Sequence, residues 1–239
     1  MTLETEKPAH AFSPCGLTFG FPPPYSQTLC VRSSGFEFNN QGVTPMQRLC
    51  LRIVAGVLAL GMGQQIMSEE VKLEVGANAP EFVSKDDAGK EWKSSDHIGQ
   101  KIVVVYFYPA DLTGGCTKQA CGFRDDMAKL QQAGVEVVGV SGDSVENHKV
   151  FKADRKLNFT LLADETGEVA QKFGVPVEIG EKIAKVKNSD GQELSLTRKA
   201  TAKRWTFVIG KDGKVAYKNT MVQAAEDSQT IAAVVAKLK

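Results

Sequence analysis

The sequence is poor in the residues from which metal sites and disulfide scaffolds are built. It has five cysteines and three histidines among 239 residues. Because no CxxC pair is present and the histidines stand apart, we do not expect a zinc site. The cysteines are too few and too scattered for a disulfide-stapled secreted domain, and their odd number leaves at least one unpaired.

The chain also lacks a charge excess and a long apolar run. Its 29 Lys and Arg against 28 Asp and Glu give a formal net charge of +1, so no strong field exists to attract nucleic acid or anionic lipid. The apolar run at residues 53–62 is shorter than the ~20 residues that span a bilayer. We therefore expect no nucleic-acid partner and no stable membrane span. The composition, 42% apolar and 24% charged, is ordinary for a globular protein.

Residues 1–66 differ from the rest of the chain and are predicted to be a disordered extension. The stretch FSPCGLTFGFPPPYSQ is rich in Pro, Gly and Ser and has neither a helical nor a strand period. At residues 46–63, two arginines precede the short apolar run, a combination typical of a signal peptide. If translation starts at Met46, we expect an exported protein, and if it starts at Met67, the segment is not translated. With the start at Met1, the segment has no structural role and a cytoplasmic protein is expected.

Residues 70–239 have the pattern of a compact domain in which strands and helices alternate. The run KIVVVYFYP at 101–109 is β-branched and aromatic without alternation, which predicts a strand buried on both faces. Apolar residues then recur at spacings of four and three, which predicts one face of a helix that ends near Gly134. The members of this stripe are Cys116, Ala120, Phe123, Met127 and Leu130.

The remaining elements complete an α/β arrangement. Further strands are predicted at 135–141, 159–164 and, around a Lys-Asp-Gly turn, 204–218, and further helices at 144–157, 168–173 and 224–238. This order predicts a central mixed sheet flanked by helices. It fits a thioredoxin-like fold, although other small α/β folds share the pattern. The polar, turn-rich segment 180–202 is predicted to be a surface insertion.

The segment YFYPADLTGGCTKQACGFRDD joins the first buried strand to the helix, and it resembles the active-site signature of peroxiredoxins. That signature is Pro, three residues, Thr or Ser, two residues and Cys, matched here by Pro109, Thr113 and Cys116. Cys121, five residues further on, is similar to the second cysteine of the subgroup called peroxiredoxin Q or bacterioferritin comigratory protein. The similarity extends over about residues 70–239.

The resemblance implies a thioredoxin fold and a thiol peroxidase that reduces hydrogen peroxide and organic hydroperoxides. It makes Cys116 the peroxidatic residue, which passes through sulfenic acid to a disulfide with the resolving Cys121. It also implies thioredoxin or a similar dithiol as the reductant, and no metal, haem or flavin cofactor. Because the partner thiol lies in the same chain, a dimer is not needed and we expect a monomer.

The position of Cys116 agrees with this chemistry. It falls in the first turn of the predicted helix, where free backbone N–H groups and the positive dipole end favour a thiolate. A helix terminus supplies at most about 2 kcal/mol, so a cation is needed as well. By resemblance that cation is Arg204, whose guanidinium can donate to both the thiolate and a peroxide oxygen. Thr113 is expected to hydrogen-bond the peroxide, and Pro109 to shield the sulfur from water.

The spacing of the two cysteines predicts a conformational change. Residues five apart on a helix have Cα atoms roughly 8.5 Å apart, whereas a disulfide tolerates about 7 Å. The first turn must therefore unwind before Cys116 and Cys121 can bond. Gly114 replaces the proline usual at this position of the family, and together with Gly115 it is expected to loosen the loop and ease the unwinding.

Two other functions are compatible with a reactive cysteine. A thiol–disulfide oxidoreductase is disfavoured because it usually shows a CxxC pair. A redox sensor that relays oxidation to a partner without turnover stays open, and steady-state peroxide removal separates it from an enzyme. Arg124 and His148 are interpreted as residues of exposed helix surfaces, and Trp205 as part of the core or a pocket wall.

Overall fold

The computed structural model describes residues 72–238. The predicted extension at 1–66 and its signal-like segment at 46–63 lie outside the described residues. The strands are β1 (Val83–Asp86), β2 (Glu91–Lys93), β3 (Ile102–Phe107), β4 (Val135–Ser141), β5 (Thr160–Ala163), β6 (Val177–Lys187), β7 (Glu193–Ala202), β8 (Trp205–Ile209) and β9 (Val215–Asn219). The helices are α1 (Gly114–Gln132), α2 (Val145–Arg155), α3 (Glu168–Lys172) and α4 (Asp227–Ala236), with a 3-10 turn at Ser94–Asp96.

Seven of these strands form one mixed sheet in the order β2-β1-β5-β4-β3-β8-β9. Strands β3, β4 and β5 are parallel, and the pairings of β3 with β8 and of β1 with β5 are antiparallel. The helices cover this sheet, so the predicted thioredoxin-like fold with a central mixed sheet is confirmed. Because parallel strands end at the same edge, the loops that follow β3 and β4 meet there.

Strand β3 is buried along its whole length because both faces of the sheet are covered. Alternate residues enter two different apolar clusters, one containing Val104 and Tyr106 and the other Val105 and Phe107. The first cluster is packed against α1, α2 and α4, and the second against α3 and the N-terminal strands. This two-sided burial explains why the sequence of β3 shows a continuous apolar run.

The segment predicted as a surface insertion is a regular hairpin. Strands β6 and β7 pair only with each other among the described strands, and most of their residues are exposed or half-exposed. Their polar sequences suit a two-stranded ribbon with one face in water, which explains why they carry no strong apolar signal. The base of the hairpin is fixed to the loop after β4, where a Cβ on Gly142 would lie 2.1 Å from the carbonyl oxygen of Ala200.

Among residues 72–238, no helix is long and apolar enough to cross a membrane.

Candidate active site

The loop between β3 and α1 places the predicted signature at the carboxyl edge of the sheet. Thr113 has an extended backbone (φ −73°, ψ 150°) and serves as the N-cap of α1. Cys116 is therefore the third helical residue, as predicted, and it is only 2% exposed. Leu112, just before the cap, has a φ of 56°, a strained conformation for a side chain of its kind.

The side chain of Arg204 contacts the sulfur of Cys116. Its Nη2 donates a hydrogen bond to Sγ over 3.1 Å, across 88 positions of sequence. Antiparallel pairing of β8 with β3 sets Trp205 opposite Phe107, so Arg204 arrives beside the loop that follows β3. A permanently charged donor thus faces the sulfur at the positive end of α1, and both favour a thiolate.

The hydroxyl group of Thr113 donates its hydrogen bond to a partner within the loop. Its Oγ1 donates to the carbonyl oxygen of Ala110 over 2.9 Å. The lone pairs of Oγ1 therefore stay available, and they can accept a hydrogen bond from the O–H group of a hydroperoxide.

Pro109 lines a cavity of about 420 Å³ that also includes Arg204. Apolar groups from Pro176, Val177 and Trp205 contribute to its walls. The cavity therefore has the guanidinium of Arg204 at one part of its wall and apolar side chains at another. Such a site suits a ligand with one polar and one apolar end.

Cys121 lies on the same unbroken helix as Cys116. Both thiols are free, Cys116 being buried and Cys121 half-buried. The intact helix keeps the two residues at the separation that the spacing predicts, so the need for unwinding remains a prediction.

Arg124, interpreted from sequence as an exposed helix residue, is half-buried and links two helices. Its Nη1 donates to the carbonyl oxygen of Arg155 at the end of α2 over 2.7 Å, and its Nε pairs with Asp125 over 2.8 Å. The hydrogen bond to Asp125 raises the pKa of Arg124, burial opposes this, and the nearby Cys121 adds to the rise. Arg124 is therefore a fixed cation near the second cysteine.

The interpretation of His148 as a surface residue is wrong. The side chain is fully buried, and its Nδ1 lies 2.7 Å from Oδ2 of Asp111 in the active-site loop. Tyr108 donates to the other oxygen of Asp111 over 2.7 Å, and the backbone N–H of Asp111 donates to Asp143 over 3.0 Å. The signal was available in sequence, because His148 continues a three-residue spacing between Val145 and Phe151, both buried.

Burial and charge shape the titration of this group of residues. Burial lowers the pKa of His148, but the charge of Asp111 and their hydrogen bond outweigh it, so the pKa is raised. Burial, followed by the charge of Asp111, raises the pKa of Asp143 to about 6. The loop that carries Cys116 thus donates a hydrogen bond, through the N–H of Asp111, to a buried carboxyl whose pKa is raised to about 6.

Sequence reasoning also missed two buried polar residues behind Arg204. Gln119 and Asp227 are 0% and 2% exposed. Gln119 accepts a hydrogen bond from Nη1 of Arg204 and donates one to Asp227 over 2.7 Å. They are 108 positions apart, so no local motif could have joined them.

The residues that the structure describes contain no group of three or more His, Cys, Asp or Glu side chains arranged to hold a metal ion.

Comparison with known proteins places this site in a family. The sequence model described as the AhpC/TSA family matches residues 75–218, which include the signature and Arg204. The chain belongs to the AhpC/TSA family. It resembles the peroxiredoxin Q and bacterioferritin comigratory proteins within it.

Three relatives illustrate the similarity. The chain is 53% identical over 108 residues to the peroxiredoxin Q, chloroplastic, of Sedum lineare, covering 45% of this chain and 58% of that protein. It is 41% identical over 145 residues to the putative peroxiredoxin bcp of Coxiella burnetii, covering 61% of this chain and 87% of that protein. A solved structure of the Xanthomonas campestris bacterioferritin comigratory protein, described for its alkyl peroxide reduction activity, has a TM-score of 0.55 and 28% identity, covering 70% of this chain and 98% of the other. The chain spans about half the length of several plant relatives that it matches, for example 49% of the peroxiredoxin Q of Oryza sativa subsp. japonica.

Proposed function

We propose that this chain is a thiol peroxidase that reduces hydrogen peroxide and organic hydroperoxides to water and alcohols. The observation that carries the proposal is the 3.1 Å hydrogen bond from Arg204 to the sulfur of Cys116, made at the N-terminal turn of α1. A helix terminus and a guanidinium together favour a thiolate, and a thiolate is the form that attacks an O–O bond.

In the first step, the Cys116 thiolate attacks the terminal oxygen of the hydroperoxide. The O–O bond breaks, the sulfur becomes sulfenic acid, and the leaving oxygen departs with its electron pair and takes a proton, giving water or an alcohol. Oγ1 of Thr113 accepts a hydrogen bond from the O–H group of the bound peroxide. Arg204 stabilises the charge that moves onto the leaving oxygen. Pro109 limits access of water to the sulfur.

In the second step, the Cys121 thiol attacks the sulfenic acid, releasing water and closing an intramolecular disulfide. This requires the first turn of α1 to unwind, because an intact helix holds the cysteines too far apart. Thioredoxin or a similar dithiol then reduces the disulfide and restores both thiols. The apolar walls of the cavity at Pro109 favour a substrate with an organic chain, in line with the activity named for the Xanthomonas protein.

We further propose that residues 70–239 form the peroxidase domain and act as a monomer, because both reacting thiols lie on one helix. We place the protein in the cytoplasm, or outside it if translation starts at Met46. Residues 1–66 are proposed to be an extension without a part in the chemistry.

The proposal is tested by intact mass spectrometry after one equivalent of peroxide. The parent protein is expected to lose two hydrogens, and Cys121→Ser is expected to gain one or more oxygens at Cys116. Cys116→Ser should consume no peroxide. Unchanged consumption in Cys116→Ser rules the proposal out, and consumption that stops after one equivalent despite excess dithiol favours the redox sensor.

A further inference from the structure

A line of hydrogen-bonded polar side chains extends from the sulfur of Cys116 through the half-buried Arg204 to the buried Gln119 and Asp227. Arg204 contacts the sulfur through Nη2 and contacts Oε1 of Gln119 through Nη1. The other end of the Gln119 amide donates through Nε2 to Oδ2 of Asp227 over 2.7 Å. Asp227 is the first residue of α4, and the same Oδ2 accepts a hydrogen bond from Thr206 on β8 over 2.8 Å.

The chemistry of these groups fixes the direction of the Gln119 amide. Oδ2 of Asp227 accepts hydrogen bonds from both Thr206 and Gln119, so it selects the NH₂ end of the amide. The carbonyl oxygen is then left to face the guanidinium, which only donates. With the amide reversed, NH₂ would face the guanidinium and the carbonyl oxygen would face the carboxylate, and neither contact would be a hydrogen bond.

Because Gln119 and Asp227 are buried, a reversed Gln119 amide would leave both of its contacts without a hydrogen bond. Gln119 is 0% exposed and Asp227 is 2% exposed, so water does not substitute for either partner. The pKa of Asp227 is raised, because burial outweighs the hydrogen bonds from Gln119 and Thr206 and the charge of Arg204, which lower it. Oδ2, which accepts from both Gln119 and Thr206, is the oxygen that holds the amide.

We propose that Asp227 is a positioning residue for the peroxide reaction: by orienting the Gln119 amide, it holds the Arg204 guanidinium against the sulfur of Cys116. This inference rests on the proposed function, since it assumes that the contact between Arg204 and Cys116 activates the thiolate. Asp227 touches neither the sulfur nor the site of the peroxide, so it acts through Gln119 and Arg204.

The test compares three single variants of the full chain. Asp227→Ala removes the acceptor, whereas Asp227→Asn keeps an oxygen that can accept from both Gln119 and Thr206. Asp126→Ala is the matched control, because Asp126 on α1 accepts from Ser228 on α4 over 2.8 Å but has no contact with Arg204. The Asp126→Ala change weakens the contact between α1 and α4 but leaves the hydrogen bonds among Asp227, Gln119 and Arg204 in place.

Two measurements are made on each variant. The first is the rate of Cys116 oxidation by hydrogen peroxide, and the second is the pH midpoint of the ultraviolet absorbance of the thiolate, taken as the difference from the same variant with Cys116→Ser. In Asp227→Ala, we expect the rate to fall about tenfold or more and the midpoint to move to higher pH. Asp227→Asn should stay within about threefold of the parent, and Asp126→Ala should match the parent in both measurements.

The results either support or overturn the proposed positioning role of Asp227. Parent-like values in Asp227→Ala, or equal losses in Asp227→Ala and Asp227→Asn, overturn the inference. If Asp227→Ala does not fold, Gln119→Leu replaces it, because it breaks the same line and must give the same two changes. The absorbance measurement needs no turnover, so a parent protein that consumes no peroxide refutes the proposed function while Asp227 is still tested through the thiolate.

Discussion

At the scale of single residues, the surroundings of Cys116 show how a buried sulfur can be charged. The helix terminus alone supplies at most about 2 kcal/mol, and a sulfur that is 2% exposed gains little from water. The guanidinium of Arg204 donates a hydrogen bond to the sulfur, and it also donates one to Gln119. Both contacts depend on the fixed fork of an arginine.

Replacement of Arg204 by lysine is expected to slow the peroxide reaction although the charge is kept. A single ammonium cannot hold Gln119 and the sulfur in the same planar arrangement, and the lost charge-assisted hydrogen bond lowers kcat/KM by about tenfold or more. Stopped-flow measurement of peroxide consumption at neutral pH checks this. Lys211→Ala, an exposed change beyond the other end of β8, serves as control, and a parent-like rate in Arg204→Lys contradicts the expectation.

Buried His148 and Asp143 are expected to make the free energy of unfolding depend on pH. Because the pKa of His148 is raised in the folded state, its contribution is complete below about 6.5 and is lost as the pH rises through the folded pKa. For Asp143, a folded pKa of about 6 against about 3.9 in the unfolded chain gives roughly 3 kcal/mol on full protonation, gained as the pH falls. Both groups act in the same direction.

We therefore expect the free energy of unfolding to rise between pH 8 and pH 6, and to rise less in His148→Gln. Urea denaturation of reduced protein at several pH values measures this. An identical pH dependence in the parent and in His148→Gln shows that His148 does not contribute.

The sequence reveals site residues that lie close together along the chain more readily than partners that lie far apart in it. Pro109, Thr113 and Cys116 lie within one local motif and were found directly. Arg204 was placed by resemblance, and the structure brings it to the sulfur. The partnership of Gln119 with Asp227 depends on how α4 packs on α1, which no local pattern encodes.

At the scale of elements, the first turn of α1 has to be stable enough to hold the thiolate and weak enough to unwind. Gly114 begins the helix, and nothing lies within 4 Å of the position of an added Cβ. The preceding Thr113 is already extended, which is the conformation that a following proline requires. The first helical position also tolerates proline well.

Gly114→Pro is therefore expected to stabilise the reduced protein by about 0.4–1 kcal/mol and to slow disulfide formation. Denaturation of the reduced form and rapid-quench detection of the disulfide measure the two effects. Gln132→Ala, at the exposed far end of α1, should leave the rate of disulfide formation unchanged. A faster or equal rate in Gly114→Pro is evidence against unwinding of this turn.

Elements with a strong apolar signature were predictable, and the hairpin of β6 and β7 was not. Strand β3 and helix α1 bury continuous or striped apolar residues, and these produce the periods by which they were recognised. Strands β6 and β7 obtain their regularity from pairing with each other, so their sequences need little apolar character. The sequence therefore identified a surface segment but not its pairing.

At the scale of the whole molecule, both apolar clusters are built from residues between Leu73 and Val235. The family match, at residues 75–218, falls within the same limits. The fold thus has its core and its site in one continuous stretch of chain.

A chain that begins at Met67 is accordingly expected to fold and to keep its kcat/KM for hydrogen peroxide within about twofold of the full chain. Far-UV circular dichroism, the denaturation midpoint and steady-state kinetics with a dithiol reductant provide the comparison. A loss of fold or of rate on removal of residues 1–66 assigns those residues a role that we do not expect.

The close approach of Gly142 to Ala200 limits how this protein can vary. Any larger residue at 142 would meet the backbone of Ala200, so the hairpin would have to shift to admit it. The tip at residues 188–191 contacts α2 instead, where the N–H and the hydroxyl of Ser189 donate to Asp154 over 2.8 and 2.9 Å. A change at the tip is thus expected to cost less than a change at the base, because the tip loses exposed hydrogen bonds whereas a side chain at residue 142 would meet backbone atoms.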